Sequence, residues 1–157
     1  MHAGKLDAID LKILEMLQME GRIKRSELAK AVNMSIPSIS DRLRKMEAEG
    51  IIKGYRGVLT PTKIGLGVTA FIFITISSSE HYDEIITLAR EEDEILEFHA
   101  ITGQATHLMK VRTTDTIALE VLLSKIQTWP GLKNTLTNIA LSSPKEDIKL
   151  SLKHFDF

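Results

Sequence analysis

The residues with the clearest chemical capacity lie in a single segment, Ser35-Ile-Pro-Ser-Ile-Ser-Asp-Arg-Leu-Arg-Lys-Met-Glu-Ala-Glu-Gly50. Ile36, Ile39, Leu43 and Met46 fall at i, i+3, i+7 and i+10, the spacing of one helical stripe. On a helical wheel the opposite direction carries Pro37, Ser38, Asp41, Arg44, Lys45 and Ala48, with Ser40 and Arg42 on the flanks. Arginine and lysine suit phosphate oxygens and guanine edges, and short polar side chains near a helix start suit base edges. A helix of this kind is expected to seat its stripe on a protein core and turn its other side to a major groove. Ser38 and Asp41 are then candidate base readers, and Arg42, Arg44 and Lys45 candidate phosphate or guanine contacts. Ser35 is the expected cap of that helix.

Two further helical patterns precede this one. Asp7, with Asp10 three residues on, reads as a capping-box variant opening a helix that runs to about Glu20, where Gly21 ends the pattern. Ser26 reads as the cap of a short helix through Val32, and Asn33-Met34 as a turn. After the third helix, residues 50–60 read as a strand or wing, with Lys53 and Arg56 placed to grip phosphates beside the groove. Three short helices and a basic strand within about fifty residues are the layout of a winged helix-turn-helix. Residues 61–67, with Pro61, Gly65 and Gly67, read as a hinge.

The charge distribution agrees with this division. The formal charge is -1, but residues 1–60 hold 11 basic against 8 acidic side chains and residues 61–157 hold 9 against 13. A cationic module of balance +3 is thus joined to an acidic one of balance -4. Apolar residues at 43% and charged residues at 26% are ordinary for a folded domain.

The second module reads as strand, helix, strand, strand, helix, strand. Residues 68–77 are β-branched and aromatic and read as a strand buried on both faces. Tyr82, Ile85, Ile86 and Ala89 make a helical face. Residues 94–102 and 106–113 read as strands, 117–126 as a helix, and 132–141 as a last long strand. The alternation over residues 148–152 suggests one more strand. Phe71, Phe73, Leu108, Met109 and Val111 offer more apolar area than two short helices readily cover, so a second copy packed sheet to sheet is expected.

The chain resembles the Lrp/AsnC, or feast/famine, family of prokaryotic transcription regulators. The resemblance is carried by Leu6-Asp-x-x-Asp10-x-x-Ile13-Leu14, Gly21-Arg22, Glu27-Leu-Ala29, Ser35, Arg42, Gly50-Ile-Ile-Lys-Gly-Tyr-Arg56 and Lys63-Ile-Gly65. It implies an α+β chain in which a winged helix-turn-helix (1–60) is followed by a hinge (61–67). A ferredoxin-like βαββαβ, RAM/ACT-like domain (68–157) then dimerises, assembles further and binds metabolites. The implied partners are double-stranded DNA, a second copy in a homodimer, tetramer or octamer, and a small-molecule effector. The implied function is sequence-specific, effector-modulated control of transcription.

The family's pocket lies at the loop after a strand ending Thr-Gly, where acidic residues commonly meet an amino group. Here the text is Thr102-Gly-Gln-Ala-Thr-His107, without those aspartates. Gly103, Gln104, Thr106 and His107 are the pocket candidates the resemblance implies, with Thr135 and Thr137, and an ordinary amino acid would lack its charged partner there.

Other chemistries find little support. There is no cysteine, and of five histidines only His99 and His107 could be neighbours, on adjoining strands. No metal, cofactor or catalytic site is expected, and no Gly-rich phosphate loop or nucleophile elbow is present. No signal-peptide core or membrane-length apolar run occurs, so a cytoplasmic protein without a membrane partner is expected. Two alternatives remain: a metabolite sensor that does not bind DNA, and an enzyme like the tetrapyrrole decarboxylases that resemble this family. Arg42, Arg44 and Lys45 weigh against both.

Overall fold

The computed structural model describes residues 6–155. The chain divides into two compact units, Met1–Val58 together with Glu146–Phe157, and Leu59–Lys145.

In the first unit, α1 (Ala8–Met19), α2 (Arg25–Ala31) and α3 (Ile36–Ala48) enclose one apolar core. Asp7 opens α1 through a reciprocal capping box: its carboxylate accepts from the Asp10 N–H at 2.8 Å, and the Asp10 carboxylate accepts from the Asp7 N–H at 3.2 Å. Helix α2 starts two residues earlier than expected. Its N-cap is Lys24, whose N–H donates to Glu27 at 3.2 Å, so Ser26 lies inside the first turn rather than capping it. Asn33 takes a left-handed φ of 53° in the turn to α3, which asparagine tolerates because its short amide can bond locally. Ser35 caps α3 by accepting from the Ser38 N–H at 3.2 Å, and Pro37 sits in the first turn, where a missing N–H is harmless.

Ile13, Leu28, Ala29, Ile39, Leu43 and Met46 form the buried core. Ile36, expected on the same stripe, is half exposed at the first position of α3. Gly50, at φ 70°, turns the chain after α3 so that the Ile51 and Ile52 N–H groups both bond the Met46 carbonyl.

The expected wing strand does not form: residues 53–60 run without a ladder partner among the described residues. An isolated strand has nothing to satisfy its backbone except water, and this segment is exposed throughout. The expected strand at 148–152 is also absent. Its backbone is met instead by a side-chain amide: Gln18 Nε2 donates to the Leu150 carbonyl at 3.2 Å, and the Leu150 N–H donates to Gln18 Oε1 at 2.6 Å.

The second unit is a four-stranded antiparallel sheet in the order β2-β3-β1-β4, formed by β1 (Val68–Ile76), β2 (Ile95–Ala100), β3 (His107–Thr113) and β4 (Leu132–Ile139). Helices α4 (Tyr82–Glu91) and α5 (Thr116–Ile126) complete a ferredoxin-like βαββαβ order. Strand β1 is buried on one face only, correcting the expectation of two. Ala70, Ile72, Ile74 and Ile76 join Ile85, Ala89, Leu119, Leu122, Ile126 and Trp129 in the core, while the alternate residues are half buried.

Antiparallel pairing fixes which residues share a face. Phe71 opposes Lys110 and Asn138, and Phe73 opposes Leu108 and Leu136, so these line the open face. Met109 and Val111 point into the helix-covered core, which removes them from the set expected to need outside cover.

Candidate nucleic-acid interface and ligand-binding unit

Burying Ile39, Leu43 and Met46 obliges α3 to turn its polar side outward, because a helix cannot hide one stripe without presenting the other. Arg44, Asp41 and Lys45 are exposed, with side-chain accessibilities of 76%, 68% and 69%. Arg44 pairs with Asp41 one turn away, and Lys45 lies 4.0 Å from Glu49. Such pairs between exposed groups contribute roughly 1 kcal/mol or less, so either cation can exchange its partner for a phosphate at small cost. Ser35 and Ser38 sit at the opening of α3 with hydroxyls 2.8 Å apart.

Arg42, also expected as a DNA contact, is engaged differently from its neighbours. It points back to the start of α1, where Nη1 meets Asp7 Oδ2 and Asp10 Oδ1, each at 2.7 Å. Hydrogen bonds to Asp10 and then Asp7 push its guanidinium pKa up. The Asp7 carboxyl is held below its ordinary value, first by the Asp10 backbone N–H and further by Arg42, against an opposing effect of burial. Arg42 therefore braces α3 against the capped end of α1. Its place on the flank of the wheel was legible; the two aspartates that claim it lie about thirty residues away and only the fold brings them in.

Arg25, not anticipated from the sequence, reaches α3 through a 3.3 Å bond from Nη1 to Ser40 Oγ. Its signal was modest: a cation at the first position of α2, the helix that crosses α3. Lys53 and Arg56 are exposed on the extended segment after α3. Between them Tyr55 donates to Glu47 Oε1 at 2.9 Å; burial, and then this bond, push the phenol pKa up to about 12. That bond fixes the segment carrying both cations to the end of α3.

In the second unit the expected pocket residues separate into groups. Gly103 (φ 120°) and Gln104 lie exposed in the loop between β2 and β3. Thr106 is a clamp between strands: its Oγ1 donates to the Ile74 carbonyl at 3.1 Å and accepts from the Ile76 N–H at 3.0 Å. His107 is 2% exposed, stacked on Phe98 with ring centroids 5.0 Å apart and met edge-on by Tyr82 at 4.8 Å. Burial holds its pKa below the ordinary imidazole value. Thr135 lies in the same cross-strand row as His107 but is separated from it by Ile74, and Thr137 pairs with Ile72 in the next such row. Thr106 and His107 are thus together, while the two β4 threonines stand apart.

His99 and His107 do not converge as a metal pair. His99 opposes Leu108 and bonds Glu97 at 3.2 Å on the open face, whereas His107 points into the core. Among the described residues no three His, Asp or Glu side chains gather as a metal set, and no helix is long and apolar enough to cross a membrane.

A three-helix unit with an exposed cationic recognition helix, followed by a ferredoxin-like sheet, defines a class of two-module DNA-binding regulators. Comparison with known proteins agrees. Residues 6–53 match the winged helix-turn-helix DNA-binding family, and residues 69–150 match the Lrp/AsnC ligand binding domain. The chain is 38% identical over 144 residues to the proline dehydrogenase transcriptional activator of Rhizobium radiobacter, covering 90% of this chain and 92% of that one. It is 32% identical to the leucine-responsive regulatory protein of Escherichia coli K12, covering 94% and 92%. Among solved structures, a transcriptional regulator of Neisseria meningitidis in complex with L-Met superposes with a TM-score of 0.89 at 30% identity, covering 96% of this chain and 99% of that one. AsnC of Escherichia coli superposes at 0.84 with 34% identity, covering 91% and 97%. The chain belongs to the Lrp/AsnC family of transcriptional regulators.

Proposed function

We propose that this regulator reads double-stranded DNA through the outer side of α3 and does so as a homodimer or larger even-numbered assembly. The observation that carries the reading is the division of α3 itself. Ile39, Leu43 and Met46 are buried, and Ser35, Ser38, Asp41, Arg44 and Lys45 stand on the side left to solvent or at its opening turn. Ser38 and Asp41 are the candidate base readers. Arg44 and Lys45, joined by Lys53, Arg56 and Arg25, are the candidate phosphate contacts. Arg42 acts one step behind them, holding α3 at a fixed angle to α1.

The partly apolar open face of the sheet, with Phe71, Phe73, Leu108 and Leu136 at its centre, supports self-association through a second copy. Two copies would present two recognition helices to half-sites about one helical turn apart, roughly 34 Å. A small metabolite held by the second unit would then alter DNA affinity by favouring one arrangement of copies over another, since coupling needs only a difference in affinity between two states. Recovery of genomic fragments bound by the purified protein at near-physiological salt tests the reading. Discrete two-fold-related sites are the expected result, and diffuse, purely salt-sensitive recovery would replace sequence-specific reading with general DNA coating.

A further inference from the structure

Helix α4 and the outer edge of β2 enclose a half-open cleft of about 540 Å³ within the second unit. Its apolar walls include Ile86 and Ala89 from the helix and Ile95 and Phe98 from the strand. That volume falls within the range of small-molecule sites, ~300–1,000 Å³. Three lining residues carry polar side chains, and their states differ. Glu97 is engaged elsewhere, with Oε1 3.5 Å from Lys110 Nζ and Oε2 3.2 Å from His99 Nε2. The Arg90 guanidinium is exposed and makes no hydrogen bond or ion pair among the described residues.

His107 is the third. Its Nδ1 lies 3.0 Å from Thr106 Oγ1, whose single proton goes to the Ile74 carbonyl, so the imidazole supplies the proton of that bond. Nε2 is then left with a lone pair and no protein partner. His107 lines the cleft although only 2% exposed, and no buried polar side-chain atom among the described residues lacks a partner, so the unpartnered Nε2 is not fully sealed. The two groups lie toward opposite ends of the cleft. Tyr82, which touches His107, and Arg90 are eight positions apart on α4, about 12 Å of helix rise.

We propose that this cleft binds an elongated apolar carboxylic acid, with its carboxylate on Arg90, its chain between Ile86 and Phe98, and a hydrogen-bond donor at its far end on His107 Nε2. The proposal deepens the reading of the second unit as a ligand-binding module and rests on it. The lone pair on Nε2 repels a carboxylate and accepts from a hydroxyl, which sets the direction of entry. An ammonium beside the carboxylate is disfavoured, because it would meet Arg90 and find no free anion.

Calorimetric titration of the full chain without DNA tests this, using hexanoate, 6-hydroxyhexanoate, hexanamide and norleucine as probes. The expected order is 6-hydroxyhexanoate tighter than hexanoate, with hexanamide and norleucine each weaker than hexanoate by about tenfold or more, the loss of one charge-assisted contact. Arg90→Gln should remove the preference for hexanoate over hexanamide while leaving DNA affinity without ligand unchanged. Ala100→Trp, at an exposed position lining the cleft, should block all four probes. The hydroxyl probe should also shift the His107 Nε2 resonance, a signal that a distant effect on folding would not give. Norleucine binding as well as hexanoate, an unaltered Arg90→Gln titration, or no heat with any probe would each overturn the assignment. DNA binding is read separately by gel shift, so failure of the cleft and failure of the α3 reading give different results.

Discussion

The outer side of α3 and the open face of the β-sheet are both left over after their units have buried a core, yet they are built in opposite ways. Helix α3 hides its large apolar residues and exposes Arg44, Lys45 and Asp41. The sheet exposes an apolar centre, with Leu136 55% accessible beside Phe71, Phe73 and Leu108, and places Lys110, Arg112 and Glu97 toward the β2 side. A charged surface of the first kind is comfortable in water and gains a partner by exchanging counterions and weak ion pairs. A surface of the second kind gains by removing apolar area from water, about 25 cal/mol per Å². The contrast supports the proposal that the first unit takes the polyanion and the second the self-contact.

The sharpest way to break this contrast is to charge the apolar face. Phe73→Lys should weaken self-association by on the order of a thousandfold, since an unpaired buried charge costs about 3–5 kcal/mol. Sedimentation should show a smaller species while circular dichroism stays unchanged; an unaltered assembly would move the interface off this face. Stripping charge from the other side comes next. Arg44→Ala with Lys45→Ala should weaken DNA binding on the order of a hundredfold and reduce the salt slope by roughly 2, measured by titration at several salt concentrations.

Arg42→Ala separates the brace from the contacts on the same helix. Losing a part-buried cation between Asp7 and Asp10 should destabilise the first unit by about 1–2 kcal/mol in denaturant melts while leaving the salt slope unchanged. A fall in slope would restore Arg42 to the interface.

The smallest effect concerns His107 in the second unit. Its folded pKa is depressed, so in the native state it stays neutral while the unfolded imidazole takes up a proton near pH 6.5. The unfolded state then binds more protons, and stability falls as pH drops through about 6.5, levelling off below the depressed folded value. His107→Gln should flatten the difference in melting temperature between pH 7.5 and 5.5 relative to the wild type. An identical pH profile would show that His107 titrates alike in both states.

Much of this architecture was legible from residue order. Asp7 and Asp10 announced their capping box, Ser35 its cap, and the βαββαβ order followed from periodicity and turn residues. These features are local: each needs only neighbours within one or two turns, so chain spacing determines them. The resemblance named the family that the comparisons show. Less legible were features that depend on what happens to lie opposite. Residues 53–60 and 148–152 have strand-like composition, but a strand needs a ladder, and neither finds one among the described residues. In the second of these, the Leu150 backbone pairs with the Gln18 amide, the Lys149 N–H donates to Asp147 Oδ1 and the Leu152 carbonyl accepts from the Phe155 N–H.

The sequence by itself determined the order of the three helices and of the βαββαβ elements, which stripe of α3 is apolar, and that the first module is cationic, because these depend on side-chain type and periodicity alone. Only the tertiary structure decided that Arg42 serves Asp7 and Asp10, that Met109 and Val111 point inward while Phe71 and Phe73 point out, and that His107 lies on the cleft beside α4. Each of those outcomes depends on register and crossing geometry, where a shift of one residue exchanges the buried face for the exposed one.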